Sequence, residues 1–417
     1  MYTHLYTQGE TMQENITISF FNNLIKEPVN SLVQKALDEG RVPLGYSCSL
    51  IPEPLLSLGK LFPVRLYAQG VSGTQIADNY LSSVLCSFSR SILELAILNG
   101  FDFLGGAIFA ASCDHIRRSG QHFELLGINK NKPGFFSFMV DTPRKVSASH
   151  VAWLARDYRK LAEKLAENYG VDTSDSALST AIKEHNTFIM LLKSIGGLRK
   201  EDRPLISGTD FHKLMVASRL APKDMLLEPI KKYLVHLKKQ DGVGMYRARI
   251  MVVGSQCDNP AYTELIEAQG ALVVADRYCW GSLPGLEPIP EGRDPYIALA
   301  SHYLNMCACP RMMEKYKERI DQTITYYNEY KADGIVLETM KFCDLWGYEV
   351  LTMVEALRKA DIPVVRVERE YPLTGQGQLR TRIQAFIESI EGRRDLQKVS
   401  MSTRKRRDAG YDGTATA

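Results

Sequence analysis

Six of the eight cysteines in this 417-residue chain fall where a thiolate could act on a ligand. Cys343 lies in DGIVLETMKFCDLWGYE (333–349), after an apolar run over 334–340 with the length and β-branched content of a buried parallel strand, and before a helix opening at about Leu345. Cys113 follows the strand-like DFLGGAIFAAS in the same way, Cys48 closes RVPLGYSCSL, and Cys279 lies just past GALVVADRY. Turns after parallel strands are where open α/β sheets bind ligands. Cys86 is expected in the first turns of a helix over 80–99, and Cys309 precedes Pro310, which suits the first position of a helix. The free N–H groups of a helix start favour the thiolate. Each half of the chain therefore carries three such cysteines. Cys257 and Cys307 are surplus, although Cys257 also follows a strand, so placement alone does not exclude it.

Any one of these cysteines, taken alone, reads more readily as a small buried hydrophobe. The set is more informative. None falls in a CxxC pair, so zinc-finger and ferredoxin spacings are absent. If the two halves face each other across a cleft, six thiolates from distant parts of the chain converge there, and thiolates are the usual ligands of iron-sulfur clusters. A cubane takes one ligand per iron, so three cysteines leave one iron open. Six cysteines on two cubanes leave two open irons, which either bind substrate or share a bridging ligand.

The elements that must position these residues alternate strand and helix, which points to an α/β fold of two Rossmann- or flavodoxin-like lobes with parallel sheets. A helical lead-in occupies 1–40. The first lobe spans 41–245, with strands near 41–50, 62–67, 102–112 and 134–140, a short helix opened by Pro52, and a helical layer over about 147–240. His212 in that layer reads as a surface or capping residue. The second lobe spans 246–392, with strands near 250–254, 270–275, 334–340 and 362–368 and a last helix over about 380–392. The basic segment 393–417 is expected to be a disordered tail.

Composition narrows the class. A hydrophobic fraction of 45% supplies core for two domains, and a formal charge of +3, part of it in Arg404, Lys405, Arg406 and Arg407, implies no general affinity for nucleic acid or membrane. The opening MYTHLYTQGETMQEN lacks the pattern of a signal peptide and no run is long enough to span a membrane, so a cytoplasmic protein with reduced thiols is expected. No Walker-type phosphate loop is present, and the glycines of TGQGQ read as a loop.

The segments FCDLWGYE, SCDHIRR, YLSSVLCSFSR, GYSCSLIPEPLL, CPRMM and VEREYPLTGQGQLRTRIQAF together resemble the 2-hydroxyacyl-CoA dehydratase and benzoyl-CoA reductase subunit family over about 41–391. Cysteines at both ADRYCWG and CPRM are similar to its double-cubane cluster branch. The resemblance implies a double-cubane 8Fe-9S cluster held by Cys48, Cys86, Cys113, Cys279, Cys309 and Cys343, and an oxidoreductase acting on a small substrate. It also implies an ATP-hydrolysing iron-sulfur reductase of the actin-like ATPase class as partner, and a homodimer. The alternative is a dehydratase or benzoyl-CoA reductase subunit with a single 4Fe-4S cluster, paired with a related subunit. An electron-storage protein without its own substrate is a third possibility. His115, Arg117, Trp346 and Glu349 flank the cysteines and are candidates to supply hydrogen bonds or protons there.

Overall fold

The computed structural model describes residues 16–282, 286–292, 294–306 and 309–409, with side chains as far as Leu396. Strands β1 Val42–Tyr46, β2 Leu61–Arg65, β3 Gly106–Ala110 and β4 Phe136–Val140 form one parallel sheet in the order β2-β1-β3-β4. Strands β5 Ala248–Gly254, β6 Ala271–Arg277, β7 Gly334–Met340 and β8 Val364–Arg369 form a second in the order β6-β5-β7-β8, the same winding repeated. The chain order reverses beside β1 in one sheet and beside β5 in the other. At such a reversal the connections leave on opposite faces and open a crevice beyond the carboxyl ends of the strands. Strands β5, β6 and β7 are buried along their whole length, which is why they read as mostly apolar runs, with Arg249, Asp276, Arg277 and Glu338 as buried charged exceptions.

Helices α1 Ile18–Leu24 and α2 Ser31–Asp38 replace the single lead-in that the sequence suggests. Pro28 lies between them, and Asn30 caps α2 through its side-chain oxygen while its amide donates to Leu24 O and Leu220 O. Pro52 leads only to a 3-10 turn at Leu55–Ser57. Helix α3 is Ser87–Ile97, seven residues shorter at its start than the apolar spacing implies. Val84, one of the residues that set that spacing, is exposed, and 80–86 is irregular. Helix α4 is Asp114–Leu125.

The helical layer consists of α5 Ala148–Tyr169, α6 Asp175–Gly197, α7 Gly208–Ala217 and α8 Lys223–Leu237. It does not belong to the first lobe alone. Helix α7 packs on β6 and on α9 Ala261–Glu267 of the second lobe, and α10 Pro295–Asn305 packs back onto α5 through Tyr296, Leu299, Ala300 and Tyr303. The lobes therefore interlock, each wearing a helix of the other.

Helices α11 Tyr316–Glu329, α12 Asp344–Lys359 and α13 Gln376–Ala409 complete the chain. The segment expected as a disordered tail continues α13 as helix to Ala409, because 393–409 contains no glycine or proline and many good helix formers. Among the described residues no helix is long and apolar enough to cross a membrane.

Candidate functional site

Three of the six cysteines are N-caps: Cys86 of α3, Cys113 of α4 and Cys343 of α12. Cys48 lies two residues past β1 and Cys279 two past β6. Cys309 differs from expectation. It stands in a tight turn, with the Met312 N–H on its carbonyl at 3.1 Å, and the helix that follows opens only at Tyr316. The buried guanidinium of Arg311, drawn into the molecule, holds this turn out of the helix.

The thiols of the two lobes influence one another electrostatically. Burial in the cleft pushes Cys113 up to about 12, helped by Cys86, Cys48 and Cys309 nearby, while the Ile116 N–H at the start of α4 acts against it. Cys309 is raised by burial to about 11, against the pull of the Arg311 N–H. Burial also raises Cys279, with Cys309 and Cys48 adding to it, and Cys343, with Cys86, Cys113 and Cys309 adding to it. These influences cross between the lobes, so one chamber holds sulfurs from both. Cys48, Cys279 and Cys309 line a small cavity with Met306, Met312 and Trp346.

Arginines hold the rim. Arg311 of the second lobe, 1% exposed, donates from Nε to Ser112 O at 2.9 Å, from Nη2 to Thr142 O and from Nη1 to Pro143 O, both at 2.7 Å, and so fixes the residue before Cys113. Arg65 of the first lobe reciprocates. Its Nη1 donates to Cys279 O at 2.7 Å, and its guanidinium lies over the Trp280 ring. Arg319 donates to Cys309 O at 3.0 Å and Met312 O at 2.8 Å, and its Nε to Glu349 at 2.8 Å. None of these arginines was legible as functional from periodicity; the only signal was a charge inside or beside an apolar run, as in LFPVRLY and CPRMM.

Of the flanking candidates, His115, Trp346 and Glu349 lie at the chamber. His115 meets the Cys86 N–H and Asp344, Trp346 lines the cavity, and Glu349 is buried against Arg319. Arg117 does not join them; it is half-buried and pairs with Asp114 at 3.0 Å. An open groove of about 650 Å³ runs from solvent to Cys113, lined by Asp114, Arg144, Tyr316, Asp344, Tyr348 and Glu349.

Cys257 is buried elsewhere. Burial raises it to about 12, and the largest charge influences on it come from Arg369, Glu338 and Asp258. Cys307 lies outside the described residues.

A model of the family described as 2-hydroxyglutaryl-CoA dehydratase, D-component, matches residues 48–390. The chain belongs to that family. Relatives include the (R)-phenyllactyl-CoA dehydratase beta subunit of Clostridium sporogenes, 24% identical, covering 89% of this chain and 97% of that protein. The putative dehydratase subunit YjiM of Escherichia coli is 28% identical, covering 85% of this chain and 93% of its own length. A benzoyl-CoA reductase subunit of Thauera aromatica is 21% identical, covering 86% and 93%. All three are named as enzyme subunits, each implying a partner component.

Thiols are the usual ligands of iron-sulfur clusters, so the donor chemistry at the site is compatible with such a group. Among the described residues no three His, Cys, Asp or Glu side chains stand close enough to hold one metal ion. Cluster thiolates bind different irons and are spread more widely than the ligands of one ion. Burial opposes thiolates that lie near one another unless a cationic group joins them. Two N–H groups beside Cys279, Arg65 Nε and Trp280 Nε1, also find no acceptor among the described residues, as expected where a bound group with sulfide acceptors belongs.

His212 corrects an expectation. It is not on the surface but fully buried, with Nδ1 2.9 Å from Thr263 Oγ1 and Nε2 3.1 Å from Cys257 O, where it joins α7 to α9 and the β5 exit. Burial lowers its pKa from the usual 6.5 to about 4, the Asp276 carboxylate pulling the other way. Between those values the unfolded chain binds a proton that the folded one refuses. The stability is therefore complete above pH 6.5 and lost as pH falls toward about 4, by roughly 3 kcal/mol at most. Urea midpoints at pH 7 and pH 5 should show a smaller acid loss in His212→Gln than in the wild type, although the variant is weaker at pH 7; equal losses would refute the assignment.

Proposed function

We propose that the chain is an iron-sulfur enzyme whose six cysteines hold a double-cubane 8Fe-9S centre between the lobes, and that it reduces a small substrate at low potential. The reading is supported by one cavity lined by thiols of both lobes, Cys48, Cys279 and Cys309, together with Cys86, Cys113 and Cys343 at the three helix starts that His115 joins. Cys48, Cys86 and Cys113 would hold one cubane, and Cys279, Cys309 and Cys343 the other. When bound, such a centre supplies stored low-potential electrons and irons that protein ligands leave open. The chain's own residues do the rest: Arg65, Arg311 and Arg319 fix the turns that carry Cys279, Cys113 and Cys309, and Trp346 keeps water from one wall of the chamber. The groove ending at Cys113 is the route by which a substrate reaches it. The partner we assign is an ATP-hydrolysing iron-sulfur reductase of the actin-like class, acting on a cytoplasmic homodimer.

A second reading is favoured by the relatives' names and by the open groove. The chain would then be a subunit of a 2-hydroxyacyl-CoA dehydratase or benzoyl-CoA reductase with one 4Fe-4S cluster, the groove taking an acyl chain beside the iron. Iron and sulfide analysis of protein purified without oxygen separates the two. About eight irons per chain are expected for two bridged cubanes, and about four would favour the single-cluster subunit. A colourless protein holding zinc would sink both.

A further inference from the structure

His115 stands in the first turn of α4, two residues past Cys113, and is 5% exposed. Its two ring nitrogens face different lobes. Nδ1 lies 3.2 Å from the backbone nitrogen of Cys86, the N-cap of α3, and that N–H is a donor. Nδ1 must therefore present its lone pair, which puts the ring proton of the neutral imidazole on Nε2. Nε2 lies 3.1 Å from the Asp344 carboxylate, in the first turn of α12 directly after Cys343. One side chain thus touches the starts of all three helices whose N-caps are cysteines, two from the first lobe and one from the second.

Other ties between the lobes at this site each reach a single turn or helix start: Arg65 holds Cys279 O, Arg311 holds Ser112 O just before Cys113, and the Tyr371 N–H donates to Ser87 Oγ at 2.8 Å in the first turn of α3. None of these three reaches the start of α12, as His115 does through Asp344. We propose that His115 is a positioning residue which, in its Nε2-protonated form, sets the spacing of Cys86 and Cys113 relative to Cys343, so that the sulfurs of the two lobes act as one centre. This rests on the iron-sulfur reading for its functional meaning, but the spacing itself is a property of the metal-free chain.

The two bonds can be cut separately. An asparagine amide at 115 reaches about as far as Nδ1 and keeps an acceptor for the Cys86 N–H, but falls short of Asp344. A glutamine amide reaches about as far as Nε2 and keeps a donor for Asp344. The readout in full-length, metal-free, reduced protein is the yield of the Cys86–Cys343 cross-link made by dibromobimane, mapped by peptide mass spectrometry, with hydrogen exchange at the Cys86 amide. His115→Asn should cut the cross-link roughly fivefold, the population shift expected from losing one net hydrogen bond, while the Cys86 amide stays protected. His115→Gln should restore the cross-link and lose the protection. Asp344→Ala changes an exposed side chain, and should reproduce the asparagine result even if a His115 variant fails to fold.

In iron-loaded protein the same variants should alter the electron paramagnetic resonance signal in the order of their cross-link yields. Wild-type yields in both His115→Asn and Asp344→Ala, or equal losses in His115→Asn and His115→Gln, would overturn the assignment. A wild-type protein without iron would overturn the iron-sulfur reading instead and leave the cross-link comparison standing.

Discussion

Cys279→Ala and Cys309→Ala are each expected to lose about half the iron of the wild type, because an iron deprived of its thiolate leaves a cubane with two protein ligands. Cys257→Ala should keep all of it. The structure makes this contrast sharp within one lobe. Cys279 and Cys309 share the chamber with Cys48, whereas Cys257 packs beside Arg369, Glu338 and Asp258. Removing the Cys257 sulfur deletes a small buried side chain and should cost on the order of 1–2 kcal/mol of stability. Iron content, paramagnetic resonance and urea midpoints on the three variants, all prepared without oxygen, read out both effects. If Cys257→Ala strips the iron and Cys279→Ala retains it, the ligand set is wrong, and so is the three-plus-three symmetry behind the double-cubane reading.

What was legible in the sequence follows from physics local to a strand. A parallel strand covered on both faces must be mostly apolar, so β3, β6 and β7 announce themselves, and the turn after each is found by where the run stops. Cys113, Cys279 and Cys343 were placed in this way, and the repeated winding of the two sheets followed. The start of α3 was not legible, since Leu81 and Leu85 keep helical spacing although 80–86 is irregular; Leu81 is buried by the lobe packing rather than by a helix face. Cys309 was misplaced for a related reason. Pro310 fits a helix start, but Arg311 is drawn through the interface to three carbonyls of the first lobe, and no local pattern encodes a bond partner about 170 to 200 residues away. The same holds for His212, whose burial depends on α7 leaning on the second lobe. Chemistry at strand ends can be read from one segment, and the clamps that hold it belong to pairs of segments.

Glu349→Ala should destabilise the protein by about 3–5 kcal/mol, because it leaves the Arg319 guanidinium charged and buried without its carboxylate. Both side chains are almost fully buried, and Arg319 Nε lies 2.8 Å from Glu349 Oε1. Burying an ion pair is itself costly, so replacing both partners by apolar residues of similar volume, Arg319→Met with Glu349→Leu, should cost much less than the sum of the single changes. The site behaves differently from the fold here. Arg319 also donates to Cys309 O and Met312 O, and the apolar pair cannot replace those bonds. The double variant is therefore expected to regain much of the stability in urea but not the iron bound through Cys309, which separates the pair's contribution to folding from its hold on the cysteine turn. A double variant that recovers neither, or a Glu349→Ala protein within about 0.5 kcal/mol of the wild type, would show that the Arg319 charge finds compensation elsewhere in the cleft.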